Sequence, residues 1–565
     1  MEMTVDYDVP IRLRDGVLTF ADVYRPRGGG RYPVLLTRTP YDKTGANGYP
    51  TPLRGVRSGY AVAIQDVRGR YKSEGEFDPL FQEVADGYDS VEWCASQPWS
   101  NGKVGMHGGS YVGATQWLAA ASGPPHLKAI APILAPSNFH EEWFYHGGAL
   151  QHQFNVHWLI SHSHEMETRD PWPKGPKGEP PIDLEAVYES AYRFLPTRDL
   201  PLSWGADYFK KWTGHPSLDK YWERINIGRY HRKIKVPALV VGGWYDFFLQ
   251  GSLDNFVGMR SRGKTKEGRA PRLIVGPWNH SLPSEFSYGD KADWFALGME
   301  GVILRWFDFW LKGGGQGAKR EPPVRIFVMG DNVWRDEEEW PLSRARPTRY
   351  YIHSSGDANG SRGDGSLSRA PPRGDEAPDR FVYDPLNPVP TIGQDMVGRA
   401  TYPAEGPHDQ SRTESRMDVL VYSTPPLESD VEVTGRITMK LFASSSAVDT
   451  DFTAKLVDVR PTGFAQLLTD GIIRARYRRS KERPELLRPG TNYEYTIDLW
   501  STSNVFKKGH RIRVDISSSN FPKFDRNLNS GGPVAEETEP IVAVQRVLHD
   551  AKHPSRLILP VIPRD

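Results

Sequence analysis

From Val5 to about Ala135, short apolar runs rich in β-branched residues alternate with stretches of helical spacing. YPVLLTR (Tyr32–Arg38), YAVAIQDVRG (Tyr60–Gly69), KVGMHGGSY (Lys103–Tyr111) and LKAIAPI (Leu127–Ile133) are bounded by Gly and Pro. Such runs suit parallel strands covered on both faces. Between them, DGYDSVEWCASQP (Asp86–Pro98) has helical spacing and opens with acids, as a helix N-terminus favours. The order predicts βαβ units.

After about Asn138, Trp, His, Pro and charged residues accumulate, and up to Lys235 the apolar spacing is helical with Pro breaks. The strand pattern returns in VPALVVGGWYD (Val236–Asp246) and APRLIVGPWNH (Ala270–His280), and GVILRWFDFWLKG (Gly301–Gly313) is helical again. One α/β domain with an insertion accounts for this order. Past about Arg346 the helical period fades, and a Gly, Ser, Asp and Pro loop (Ser354–Pro378) leads into alternation. VEVTGRITMKLFASS (Val431–Ser445) and HRIRVDISSS (His510–Ser519) separate apolar from polar faces. That predicts half-buried antiparallel sheet, a β-sandwich or jelly roll.

Composition narrows the partners. Over 565 residues, 71 Lys and Arg balance 70 Asp and Glu, so no single-sign field recruits nucleic acid or an anionic membrane. The substrate is to be sought in a pocket. The single cysteine, Cys94, excludes an internal disulfide framework and a thiolate-cluster metal site; it is expected to pack a helix in a reducing compartment. The N-terminus reads as strand and not as a secretory signal, and no run reaches the roughly 18 apolar residues of a membrane span. A soluble, cytoplasmic protein is expected.

The strongest chemical signal is HGGSYVG (His107–Gly113), between the strand KVGM and the helical ATQWLAAAS. A serine at a strand–turn–helix junction needs small neighbours, because the backbone is strained and Oγ must stand clear of the sheet. Gly108 and Gly113 flank Ser110, although Val112 occupies the usual second glycine position. A hydroxyl also needs a base and an orienting carboxylate. Asp246 and His280 each follow an apolar strand run, so both emerge at the same carboxyl edge as Ser110. The order Ser, Asp, His is that of α/β-hydrolases. Singly, Asp246 reads as a helix cap and His280 as a loop histidine; the agreement of three placements favours a triad. For the oxyanion, the backbone N–H of Tyr111 is one candidate donor, and the loop LLTRTPYDK places Tyr41 as a second.

Other signals are weaker. The insertion holds His140, His146, His152, His157, His162 and His164, but their spacing lacks the H-E-x-x-H form, so packing is expected and no metal. RYRRSKERPELLR (Arg476–Arg488) reads as a solvated face rather than a nucleic-acid site.

These residues resemble the X-Pro dipeptidyl-peptidase and cocaine esterase family of serine hydrolases. TRTPYDK, IQDVRGRYKSEGEF, GGSYVGATQWLAA, GGWYDFF, GPWNH, RIFVMGDNVWRDE and SSSAVDTDFTAKLVDV all look like its landmarks and span nearly the whole chain. The resemblance implies an α/β-hydrolase core with an inserted helical cap and a C-terminal jelly roll. The units are then 1–138 and 236–345 for the core, 139–235 for the cap and 346–565 for the jelly roll. It implies Ser110 as nucleophile, Asp246 and His280 as partners, and Tyr41 sharing the oxyanion hole with the Tyr111 amide. It also accounts for the shifted glycine, as the family's G-x-S-Y-x-G form. No cofactor is needed, and a homo-oligomer is admitted.

Within the family the likeness is strongest to the cocaine esterase branch, where Trp143, Trp158 and Phe248 resemble the residues lining the acyl pocket. Two departures bear on the substrate rather than the chemistry: GANGYPTP after Tyr41 lacks that branch's pocket glutamine, and TIGQDMVGRATYP (Thr391–Pro403) lacks its Leu-Phe pair. The expected function is hydrolysis of small-molecule esters. The alternative is cleavage of X-Pro dipeptides, α-amino-acid esters or β-lactams, which requires carboxylates for a substrate ammonium. Val112 and Ala114 offer none beside the nucleophile. Glu141, Glu142, Glu165 and Glu167 in the cap remain candidates, with solvation the commoner fate of such residues. A noncatalytic scaffold carrying a carbohydrate-binding jelly roll is the third reading, and the complete triad argues against it.

Overall fold

The structure, a computed structural model, describes residues 2–45, 50–162, 184–201, 206–281, 288, 291–314, 321–393 and 405–564. In chain order the first strands are β1 (Met3–Arg12), β2 (Leu18–Pro26), β3 (Tyr32–Thr39), β4 (Ala61–Asp66), β5 (Ser100–Gly109) and β6 (Leu127–Ile133). A small hairpin, β7 (Tyr145–His146) and β8 (Ala149–Leu150), precedes β9 (Leu239–Gly243), β10 (Arg272–Gly276), β11 (Val324–Val328) and β12 (Val333–Glu337). Apart from the hairpin, these form one sheet ordered β1-β2-β4-β3-β5-β6-β9-β10-β11-β12. Its centre, from β4 to β11, is parallel, and antiparallel strands close both edges. The apolar runs are continuous because helices cover both faces: every residue of β4 is buried.

Helices α1 (Pro52–Arg57), α2 (Glu83–Ser96) and α3 (Tyr111–Ser122) connect the first strands. Cys94 is buried within α2, packed in the main core with Trp117 and Leu118 of α3. Among the described residues, no helix is long and apolar enough to cross a membrane.

From Arg346 to Ile562 the chain forms a second, almost wholly antiparallel sheet of eleven strands around its own core, which includes Ile437, Leu456, Ile497 and Val514. The long strand Val431–Ser445 lies where the alternation predicts it. Half-burial fails for Asp451–Val459, whose nine residues are all buried. That strand lies between the strands Ala465–Arg474 and Arg511–Ser517, and ionic partners cover its polar face: Arg474 pairs with Asp451 at 2.9 Å, and His510 with Asp458 at 2.8 Å. The basic run is a solvated face from Arg479 onward, with most of its residues exposed, but its start is not. Arg476 turns inward to Asp449 at 2.7 Å, and Arg478 lies over the Tyr493 ring.

The cap is not purely helical. α4 (His152–Ser161) follows the β7–β8 hairpin, whose turn Gly147–Gly148 has φ of 57° and 88°. A β-carbon on Gly147 would lie 2.0 Å from the Ile472 carbonyl oxygen of the antiparallel domain. Glycine is required there by conformation and by contact. Leu150 N–H donates to Asp525 at 2.7 Å, so the cap is fastened to the jelly roll as well as to the core.

Candidate active site

The serine sits where β5 turns into α3, at φ 59° and ψ −129°. A positive φ is costly for a residue with a β-carbon and recurs at functional turns. Two hydrogen bonds hold it: Ser110 N–H donates to Ile133 O, and Ala114 N–H to Ser110 O, both at 2.9 Å. The position of the glycines follows from packing. A β-carbon on Gly113 would meet Ala135 Cβ at 2.8 Å, so it is this position that lets α3 approach the chain after β6. Val112 is accommodated because Gly108 has no side chain; a β-carbon there would lie 2.4 Å from Val112 Cγ1.

Asp246 and His280 do not follow their strands as directly as the apolar runs suggest. β9 ends at Gly243 and β10 at Gly276, and the polar residues lie on the loops beyond. Those loops meet at the elbow. His280 Nε2 lies 2.9 Å from Ser110 Oγ, and His280 Nδ1 lies 2.7 Å from Asp246 Oδ1. The Asp246 side chain is fully buried, whereas that of His280 is 12% exposed, so the imidazole edge is reachable and its support is not. Burial raises the Asp246 pKa, and the facing imidazole opposes that rise. With the carboxylate ionised, Nδ1 carries the proton and Nε2 accepts from the serine hydroxyl.

Phe247, which the sequence reading passed over, stacks on the His280 ring at 4.2 Å and 25°, and Phe248 meets it edge-on at 5.2 Å. Glu405 was also missed: it is buried, and its carboxylate accepts the His280 N–H at 3.4 Å while its carbonyl accepts from Asn279 Nδ2 at 3.2 Å. The doubled Phe after Asp246 was a visible signal for the first; nothing in the local sequence marks the second.

Tyr111 is the first residue of α3, where a backbone N–H has no intrahelical acceptor. Its phenol is committed elsewhere, donating to Glu83 at 3.0 Å and accepting from Leu80 N–H at 2.8 Å. Tyr41 packs edge-on against the Tyr111 ring at 6.3 Å, and its oxygen accepts from Trp158 Nε1 at 3.1 Å. Tyr111 thus follows Ser110 directly in the chain, and Tyr41 packs beside the Tyr111 ring.

The three expected pocket aromatics come together. Trp143 stacks on Phe248 at 5.0 Å and meets Trp158 edge-on at 6.1 Å, while Trp158 lies parallel to Tyr111 at 6.4 Å. Phe154, also unforeseen, packs on Trp143 and Phe247. Residues 46–49 and 394–404, which carry most of the two departures from the cocaine esterase pattern, lie outside the described residues, as do His164, Glu165 and Glu167.

The remaining cap candidates are otherwise engaged. His140 faces Glu141 and the Pro216 carbonyl, and His152 the Tyr192 carbonyl; His157 faces Ser161, and His162 packs at a tilt against Tyr41. His146 faces the Asp498 carbonyl, and burial pushes its pKa down to about 4. Among the described residues, no group of three His, Cys, Asp or Glu side chains could hold a metal. Neither described cap glutamate is solvated as expected. Glu142 is buried and accepts the Ser137 and Asn138 N–H groups at 2.5 and 3.0 Å, its pKa raised by burial to about 8. Glu141 pairs with Lys481 and His140.

A parallel sheet with a strained serine elbow, and a hydrogen-bonded imidazole and carboxylate on neighbouring loops, defines a serine hydrolase of the α/β-hydrolase type. The chain belongs to the X-Pro dipeptidyl-peptidase (S15) family. That family's model matches residues 15–282, and the X-Pro dipeptidyl-peptidase C-terminal non-catalytic domain matches residues 316–558. Cocaine esterase from Rhodococcus sp. (strain MB1 Bresler) is 41% identical over 582 aligned positions, covering 99% of each chain. Two solved structures share the whole architecture at 27% identity. An aminopeptidase from a marine sediment thaumarchaeon superposes with a TM-score of 0.85, over 100% of this chain and 97% of its own. An α-amino acid ester hydrolase superposes with a TM-score of 0.83, over 99% of this chain and 96% of its own.

Proposed function

We propose that the protein hydrolyses carboxylic esters by acyl transfer to water through Ser110. The observation that carries this reading is the unbroken relay from Ser110 Oγ through His280 to the buried Asp246. As Oγ attacks the ester carbonyl, its proton passes to His280 Nε2, and Asp246 stabilises the imidazolium. The Tyr111 N–H and the Tyr41 phenol bind the carbonyl oxygen as it gains charge. His280 then protonates the departing alcohol, and a water activated by the same imidazole releases the acid. The domain division 1–138, 139–235, 236–345 and 346–565 belongs to this reading, with the cap and jelly roll walling the site. So does a cytoplasmic location, where the buried thiol of Cys94 stays reduced.

The substrate side is an aromatic acyl pocket built from Trp143, Trp158 and Phe248. Neutral esters fit it: Glu142 is consumed by backbone amides and Glu141 by cations. One observation supports a second reading, hydrolysis of substrates bearing a free amine. Glu405 places a buried carboxylate beside His280, and the relatives include an aminopeptidase and an α-amino acid ester hydrolase.

A fluorophosphonate should label the folded protein at Ser110, and Ser110→Ala should abolish both labelling and ester hydrolysis while the protein stays folded. Substantial activity in the purified variant would overturn the assignment. Rates for an α-amino ester and its N-acetyl counterpart decide between the two readings. A strong preference for the free amine would install the second.

A further inference from the structure

The core, the cap and the jelly roll meet around a cavity of about 60 Å³. At the roughly 10–15 Å³ that one water requires, it takes a group of about four non-hydrogen atoms. Phe154, Phe247 and Trp500 form ring walls, and Gln153, Asp470 and Lys523 supply polar ones.

Gln153 is the informative residue. Its backbone N–H donates to the Pro522 carbonyl at 2.9 Å, which fixes α4 against the jelly roll at this point. The residue is 3% exposed, and among the described residues neither Nε2 nor Oε1 has a hydrogen-bond partner. A buried amide left in that condition bears an uncompensated desolvation cost, and an apolar residue would fill the position at lower cost. Of the charged groups in the wall, Lys523 pairs with Asp470 at 2.6 Å, Asp246 with His280, and the Glu405 carboxylate accepts the His280 backbone N–H at 3.4 Å, so the cavity favours a neutral guest.

We propose that this cavity is a binding site for a neutral carboxamide. Gln153 Nε2 donates to the ligand carbonyl and Oε1 accepts the ligand N–H, the pairing of one amide with another. The rings enclose the rest. Phe247 is shared, lining the cavity and stacking on His280, so occupancy is felt at the catalytic imidazole. The amide belongs either to the far end of a substrate or to a separate small effector.

Acetamide, with four non-hydrogen atoms, is the probe. In a ligand-observed saturation-transfer titration of the full-length protein, acetamide should saturate in the millimolar range. Acetate, which has no N–H to offer Oε1, should bind at least tenfold more weakly, and Gln153→Met should weaken acetamide at least tenfold. The variant should melt at the wild-type temperature or above it, since it removes an unpartnered amide; a lower melting temperature would mark Gln153 as structural and overturn the proposal. So would unsaturable acetamide, equal binding to the variant, or equal binding of acetate. This arm is independent of the ester reading. Steady-state hydrolysis of p-nitrophenyl acetate under saturating acetamide then separates the sources, and this arm does rest on that reading. A rise in KM alone assigns the amide to the substrate, and a change in kcat to an effector. Unchanged kinetics with demonstrated binding would overturn the coupling through Phe247.

Discussion

Two Ser–His–Asp groupings of similar dimensions lie among the described residues, and they are wired differently. At the elbow the contacts run in line: Ser110 faces one nitrogen of His280 and Asp246 the other. In the jelly roll they converge on one carboxylate. Ser354 Oγ donates to both oxygens of Asp379 at 2.8 Å, Tyr422 donates to it at 2.7 Å, and His549 Nε2 lies 2.9 Å away. His549 Nδ1 faces a second carboxylate, Glu376, at 2.9 Å. Flanked by two acids that each face one ring nitrogen, His549 has its pKa raised, Asp379 and Glu376 outweighing burial, and in the imidazolium form both nitrogens donate. It therefore has no lone pair for the serine, and Ser354 spends its proton on Asp379. In the proposed mechanism the same three residue types make a proton relay in one place, and in the other they make a staple. Direction of hydrogen bonding separates them, not distance.

Exchanging the two aspartates should break the comparison most sharply. Asp246→Asn should lower kcat for ester hydrolysis by about 10⁴-fold through the wrong imidazole tautomer, with little change in melting temperature. Asp379→Asn should leave kcat in place and cost about 3–5 kcal/mol of stability, as expected when one partner of a buried pair is removed. Kinetics and denaturant melts on both variants check this; loss of activity without loss of stability in Asp379→Asn would refute the assignment of the second grouping.

The phenols give a smaller version of the same contrast. Tyr41→Phe should lower kcat by about 10²–10³-fold, the usual cost of one oxyanion donor. Tyr422→Phe should instead remove a hydrogen bond to a charged group, worth about 1.5–3 kcal/mol of stability.

The smallest effect is one of pH. His549, with its folded pKa raised above the ordinary 6.5, contributes fully below that value and loses its contribution as pH rises through the folded value. Asp379, with its folded pKa lowered from 3.8, contributes above that value and loses its contribution as pH falls through the folded one. The stability gap between wild type and His549→Gln should therefore be widest between pH 3.8 and 6.5 and narrow on the alkaline side. Urea melts across that range measure it, and a gap that grew with pH would contradict the imidazolium.

The contrast also explains what could be read in the sequence. Ser110 was legible because a strand, a tight turn and a helix follow one another within a few residues, and Asp246 and His280 because each lies just past a buried-strand run. Ser354, Glu376, Asp379, Tyr422 and His549 are spread over nearly two hundred positions with no shared spacing, and only the pairing of strands brings them together. Gln153 was hidden for another reason: its significance lies in what it fails to bond. The full burial of Asp451–Val459 escaped the alternation rule because its polar residues are neutralised by partners on neighbouring strands, which no single-strand pattern can display.

Gly147 carries a lesson about modularity. The cap turn rests so tightly on the Ile472 carbonyl that not even a methyl group fits between them, and Arg474 N–H returns a hydrogen bond to the Gly147 carbonyl at 2.9 Å. Recombination with relatives at the seam between the first sheet and the second would separate surfaces that fit at atomic scale. Chimaeras that swap the C-terminal half should inherit a faulty cap even when every residue of the hydrolase core is kept, so the exchangeable unit is the whole chain.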